Sequence, residues 1–344
     1  MTHLYLGLLL FSFTITGVLV VPFINLLYRL RFQRQNQKTL DFQNRPTPIF
    51  DQFHHQKAGT PVGGGLLIIL VVCLLYLLLF PILNYLHLFE APNFPIRAEL
   101  NLLFFTFISF GLLGLYDDIY KFFGFSQTGF FGLRLRHKLT LQTILAVTIS
   151  LLLYFQLHID FLYIPLLGPI LLGPFIIPIS TLFIVLFANF FNITDGLDGL
   201  SSGLLTIALF AFWILAGNSL DSPISVFLGL WIGSLIAFLY FNIYPARIWL
   251  GDVGSMSFGA TFALIAILLG RIIPLVIIGG LFILDGSSSL AQIISKKLTG
   301  KKIIPAAPFH LTLQHLGWPE PKIVFRSWLA AIILAVFGLW LGLI

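Results

Sequence analysis

An all-α, polytopic membrane fold of about ten spans, arranged as one domain over residues 1–344, is what this sequence predicts, and three observations carry it. Hydrophobic residues make up 58% of the chain and charged residues only 9%, with a mean hydropathy of +1.00, outside the range of soluble domains. The apolar residues fall in runs of about 20, the length that crosses a hydrocarbon core about 30 Å thick at 1.5 Å per residue. Basic residues collect in every second connection between those runs.

Spans are expected at 4–28, 63–84, 100–116, 139–157, 175–191, 200–216, 224–241, 255–269, 272–294 and 324–344. The first run, Leu4 to Leu27, lacks a basic leader and a small-residue cleavage site, so it reads as a retained span. The second opens on Gly63 to Gly65 and contains the lone Cys73, which can form no internal disulfide. The third ends before Asp117, and the fourth follows the basic stretch Arg134 to Lys138. Pro165, Pro169, Pro174 and Pro178 predict a bent or partly interfacial approach to the fifth. The sixth, seventh and eighth rest on their apolar runs alone. Gly279, Gly280, Asp285, Gly286 and Ser287 to Ser289 predict a kinked or broken ninth span. The tenth follows Pro319 and Pro321.

The connections after spans one, three, five, seven and nine, with the adjoining helix ends, hold all the Lys and Arg except Arg97 and Arg271. The positive-inside rule makes that face cytoplasmic and places both termini outside. The net charge of +6 therefore reads as topology and attraction to anionic headgroups of the bilayer. No basic module interleaved with aromatics points to nucleic acid. A transporter or flippase would have its ionisable residues near the midplane and an internal repeat; neither pattern is present, Asp285 being the one deep carboxyl. The plain reading of Asp285 is a carboxyl satisfied by its neighbouring serines.

Five polar clusters share the basic face: Lys57 to Gly65, Gly114 to Lys121, Asn189 to Leu200, Phe241 to Ser255 and Pro308 to Pro321. Asp117 and Asp118, expected just past the third span, repel each other and the helix dipole, so a cation must offset them. Lys121 on a solvated helix end is the plainer answer for that pair alone. Asp195, Asp198 and Asp252 at the same depth bring the carboxylates to five, an oxygen-only set that suits Mg²⁺ or Mn²⁺ better than Zn²⁺. Glycines at the starts of the second, sixth and eighth spans suit either phosphate binding or close helix packing. Lys57, Lys121 and Lys138 suit either a pyrophosphate or the positive-inside bias. Trp249 is a belt residue or a platform for a base. His310 stands in a proline-rich loop on the same side; such a histidine is usually structural, yet of the eight it is the candidate for function.

In order and spacing these motifs resemble the polyprenyl-phosphate N-acetylhexosamine-1-phosphate transferases, from Lys57 to about Trp328. Lys57 to Pro61, Gly132 to Gln142 and Gly317 to Pro321 are similar to its muramoyl branch. The resemblance implies ten helices with external termini, a cytoplasmic site open to lipid beside a bent ninth helix, and a multi-pass protein of the bacterial inner membrane. It implies Mg²⁺ on Asp252, essential carboxylates at Asp117 and Asp118, and Asn192 and Asp195 near ribose and phosphate. Lys57, Asp198 and Trp249 would line a uridine pocket, with Thr60 and Asn242 also in the substrate-binding set and His310 positioning phosphate. The implied reaction is attack by undecaprenyl phosphate on UDP-MurNAc-pentapeptide, giving lipid I and UMP, with Lys121 and Lys138 assisting; Asp117 would orient or deprotonate the acceptor, or form an aspartyl-phosphate. UDP-GlcNAc as donor is the alternative, and a homodimer is allowed for. The chain departs from the muramoyl pattern in three places. His310, Leu311 and Thr312 replace three histidines, leaving His315 as a substitute; Val62 replaces a hydroxyl; and Trp249 replaces a phenylalanine.

Overall fold

The computed structural model describes residues 2–33, 59–86, 94–122 and 135–344. Its elements are α1 (Thr2–Arg29), α2 (Gly64–Tyr85), α3 (Ile96–Phe122), α4 (Leu135–Leu157), β1 (Phe161–Ile164), β2 (Gly168–Leu171), α5 (Ile176–Thr194), α6 (Leu200–Asn218), α7 (Ser222–Asn242), α8 (Gly251–Leu268), α9 (Ile272–Ile278), α10 (Gly280–Thr299), α11 (Phe309–His315) and α12 (Glu320–Leu343). Among the described residues, nine helices are long and apolar enough to cross a membrane. The pair α9 and α10, bent by 76° at Gly279, makes up to ten. The expected break in the ninth span is therefore present. A Cβ at Gly279 would lie 2.6 Å from the Phe187 ring and 2.8 Å from the Leu275 carbonyl, so the bend is packed tightly against α5.

Helices α7 and α8 form the centre, with 78% and 89% of their apolar windows buried, against 28% for α1, α4 and α12 at the rim. Lipid tails are as apolar as leucine, so association inside the bilayer relies on close packing and interhelical hydrogen bonds. Glycines supply the packing around α8. A Cβ at Gly65 would lie 2.2 Å from Gly254 Cα, one at Gly114 2.1 Å from the Asp252 carbonyl, and one at Gly259 2.3 Å from the Phe187 carbonyl. Helices α2, α3 and α5 thus touch α8 at backbone distance, and Gly65 and Gly254 take the packing role. Phe107, Phe227, Trp231 and Phe258 interlock beside them with centroids 5.2–5.7 Å apart. On α7, Ser234 hydrogen bonds with Ser12 at 2.9 Å and Thr16 at 2.6 Å, tying in α1.

Two boundaries differ from expectation in a way that shapes the site. Helix α3 continues to Phe122, so Asp117 and Asp118 lie within it, and α8 starts at Gly251, so Asp252 lies in its first turn. The polar turns are helical because other helices partner their side chains. The proline-marked approach to α5 is a two-stranded antiparallel hairpin, β1 with β2, followed by a 3-10 turn at Gly173–Phe175.

Candidate active site

Asp252 is the meeting point of four helices. Its Oδ2 accepts from Lys121 Nζ of α3 and Lys138 Nζ of α4, each at 2.7 Å, and its Oδ1 accepts from Asn192 Nδ2 of α5 at 3.0 Å. Asn192 also donates to Ser255 Oγ, one turn along α8, at 2.6 Å. Asp117 Oδ2 is 3.1 Å from both ammoniums; its contact with Lys121 is an i, i+4 pair, possible only because α3 stays helical. Asp118 points elsewhere. Its Oδ2 accepts from the Val253 N–H at 3.0 Å, placing a carboxylate on the positive end of α8. Gly251, at φ +80, fits beside it, since a Cβ there would meet Asp118 Oδ2 at 2.8 Å. The adjacent aspartates therefore divide the work: Asp118 pins the turn that carries Asp252, and Asp117 shares its lysines.

Three residues before Asp252, Trp249 joins two motifs distant in sequence. Its N–H donates to the Pro61 carbonyl at 2.9 Å and its carbonyl accepts from Gly63 and Gly64 at 3.1 and 2.9 Å. Those bonds hold the segment after Thr60, itself half-buried, alongside the start of α8. The indole Nε1 donates to Asp198 Oδ1 at 3.2 Å, and Asp198 Oδ2 accepts from the Ala246 N–H at 3.0 Å. The N–H of Asp198 donates to Glu320 Oε1 at 2.6 Å, and Trp328 Nε1 donates to the Gly199 carbonyl at 3.2 Å, so α12 holds the same turn. Asp195, three residues after Asn192, accepts from the Ser201 hydroxyl. The Asn242 amide donates to the Ile248 carbonyl at 3.0 Å and accepts from Ser202 Oγ at 2.6 Å, bracing the loop that ends in Trp249. His310 Nδ1 lies 2.9 Å from Asp285 Oδ2.

The structure thus brings Asp117, Asp118, Lys121, Lys138, Asn192 and Asp252 into one cluster, with Asp195, Asp198 and Trp249 along the adjoining turn. Lys57 lies outside the described residues. His310, expected in a loop, lies in the short helix α11; Leu311 is buried there and Thr312 donates to the Ala306 carbonyl, so the positions that depart from the three-histidine pattern are built into that helix, and His315 at its end is exposed. Sequence reasoning passed over Glu320, Ser255 and Ser201, and it gave Asp285 the wrong partner. Ser287 and Ser288 donate to the backbone carbonyls of Leu284 and Asp285, and the Asp285 carboxylate meets His310. A charged Glu320 between Pro319 and Pro321 was the one signal available, because a buried acid at a fixed turn needs a donor.

Among the described residues no three His, Cys, Asp or Glu side chains gather as a metal site. A cation here would be held by one or two carboxylates and complete its shell with water and substrate oxygens, which is how Mg²⁺ is usually bound. Asp252, the residue expected to hold the metal, fits that role with Asp117 beside it, and Lys121 and Lys138 balance their charge at 2.7–3.1 Å.

Carboxylates, amides and lysines converge at the helix ends of a polytopic bundle, a set of groups suited to a membrane enzyme that handles charged substrates. The profile of "Glycosyl transferase family 4" matches residues 100–270. The phospho-N-acetylmuramoyl-pentapeptide-transferase of Oceanobacillus iheyensis is 34% identical over 334 residues, covering 96% of this chain and 95% of its own. Those of Bacillus licheniformis and Bacillus subtilis are 33% and 35% identical over 336 and 293 residues, covering 97% and 84% of this chain and 96% and 85% of their own. The chain belongs to the phospho-N-acetylmuramoyl-pentapeptide-transferase family.

Proposed function

We propose that this protein transfers phospho-MurNAc-pentapeptide from UDP-MurNAc-pentapeptide to undecaprenyl phosphate, releasing UMP and forming lipid I in the first membrane step of peptidoglycan synthesis. The observation that carries this reading is the pair of ammoniums, Lys121 and Lys138, bridging Asp117 and Asp252 at 2.7–3.1 Å. Phosphoryl transfer asks mainly for alignment and charge neutralisation, and movable cations among fixed carboxylates supply both. Family membership and the names of the relatives favour the muramoyl donor over UDP-GlcNAc.

In the proposed reaction an oxygen of the lipid phosphate forms a bond to the sugar-linked phosphorus while its bond to the bridging oxygen breaks, and that oxygen leaves with UMP. Lys121 and Lys138 move from carboxylate to diphosphate and follow the charge as it develops on the leaving oxygen. Asp117 orients the acceptor phosphate and takes its proton when one is present. Asp118 keeps the first turn of α8 in place, and Asn192 orients Asp252. Trp249 stacks on the uracil, and Lys57 and Thr60 belong to the same donor pocket. Bound Mg²⁺, held by Asp252, would neutralise diphosphate charge. The site faces the cytoplasm of a bacterial inner membrane, and both termini face outward.

The test is UMP release by the purified protein with undecaprenyl phosphate, offering UDP-MurNAc-pentapeptide or UDP-GlcNAc, each with Mg²⁺ or EDTA. Mg²⁺-dependent turnover of the muramoyl donor alone is expected. Turnover of UDP-GlcNAc alone would assign the other sugar, and undiminished turnover in EDTA would remove the metal.

A further inference from the structure

Asp285 is a carboxylate on α10, 5% exposed, and a charge so buried must be paired. Both of its oxygens are engaged by one residue: Oδ1 accepts from the His310 main-chain N–H at 3.1 Å, and Oδ2 lies 2.9 Å from His310 Nδ1. A carboxylate accepts and does not donate, so this two-point contact calls for a proton on Nδ1 and fixes the ring plane. The other ring nitrogen faces away from Asp285. A Cβ at Gly196 would lie 2.6 Å from His310 Nε2, so Nε2 sits directly over the turn that carries Asp195 and Asp198.

We propose that Asp285 is a positioning residue for the transfer reaction: it locks His310 in the Nδ1–H form so that Nε2, over Gly196, meets the substrate phosphate. The inference rests on the transferase reading above and on the phosphate-positioning role that the sequence resemblance implies for His310. Asp285→Asn nearly preserves shape but turns an amide N–H or a weaker acceptor toward Nδ1, loosening the tautomer as other His-orienting carboxamide replacements do.

Two measurements test it. The first is a double-mutant cycle with Asp285→Asn and His310→Gln, read as kcat and KM for UMP release. We expect Asp285→Asn to lower kcat about 10–100-fold with KM little changed, Asp285→Glu to recover most of the loss, and the double variant to be no slower than His310→Gln alone. Losses that multiply in the double variant, or an unchanged kcat in Asp285→Asn, would overturn the proposal. The second needs no substrate: ¹⁵N spectra of the histidine-labelled protein, with His310→Gln used for assignment. The His310 ring is expected as the Nδ1–H tautomer in the parent and as a mixture in Asp285→Asn; an Nε2–H ring in the parent sinks the idea. Because this spectrum is independent of turnover, a failed transferase assay and a failed positioning role are distinguishable.

Discussion

The ammonium of Lys138 lies 2.7 Å from Oδ2 of Asp252 and 3.1 Å from Oδ2 of Asp117, and Lys121 makes the same two contacts at the same distances. Helices α3, α4 and α8 therefore end on a shared arrangement of charges. Removing one partner from such a part-buried set leaves a charge without compensation, which costs about 3–5 kcal/mol in fully buried cases.

Replacing Asp252 with Asn should lower UMP release by about 10²–10³-fold or more, since the group that gathers two lysines and Asn192 loses its charge. Circular dichroism and elution volume should match the parent. A folded Asp252→Asn protein with near-normal turnover would remove Asp252 from the reaction.

Lys138→Met leaves one ammonium for two carboxylates. We expect kcat to fall at least tenfold and Lys138→Arg to recover only part, because the planar guanidinium cannot meet both oxygens as a point charge does. Full activity in Lys138→Arg would show that charge alone suffices.

Trp249→Ala removes the platform and the indole bond to Asp198, so KM for the uridine donor should rise about tenfold, in line with about 1–3 kcal/mol for base–aromatic stacking. Trp249→Phe keeps the ring and should stay within about threefold. Equal KM values for the two variants would argue against stacking.

Gly114→Ala sets a methyl 2.1 Å from the Asp252 carbonyl, backbone that cannot yield without parting α3 from α8. A loss of about 1–3 kcal/mol is expected, with turnover falling further because the displacement lands on Asp252. Thermal unfolding and UMP release measured together check this; a parental profile in both would contradict the close approach.

Asp221, in the connection between α6 and α7, is 1% exposed and accepts the Ile224 N–H at 3.0 Å. Burial pushes its carboxyl above the ordinary range, against the opposing hydrogen bond from the Ile224 N–H. Its contribution to stability is therefore full below about pH 4 and declines as pH rises through the raised folded value. Asp221→Asn keeps the helix cap without the ionisation, so unfolding midpoints between pH 4 and 8 should decline less than in the parent. Parallel pH profiles would exclude Asp221 as the cause.

Helix number, span positions and the break at Gly279 were legible because membrane spans are written in local composition and length, which survive without knowledge of neighbours. The hairpin of β1 and β2 was not, because four-residue strands owe their state to each other and prolines hid the pairing. The continuation of α3 through Asp117 to Phe122 was likewise invisible: a turn with three charged residues looks like a helix end until Lys138 and Asp252 arrive from other helices.

The sequence by itself determined the membrane architecture, the residue types of the site and their gathering at one end of the bundle, since hydropathy and charge sorting act on each segment separately. Tertiary structure alone decided what each side chain does there. Asp117 and Asp118 are neighbours of identical chemistry, yet one shares two lysines and the other caps α8. The buried carboxyl of Asp285 meets His310 instead of its own serines. Those outcomes depend on the directions in which packed helices present their side chains, and that geometry is set where Gly65, Gly114, Gly254 and Gly259 let the backbones touch.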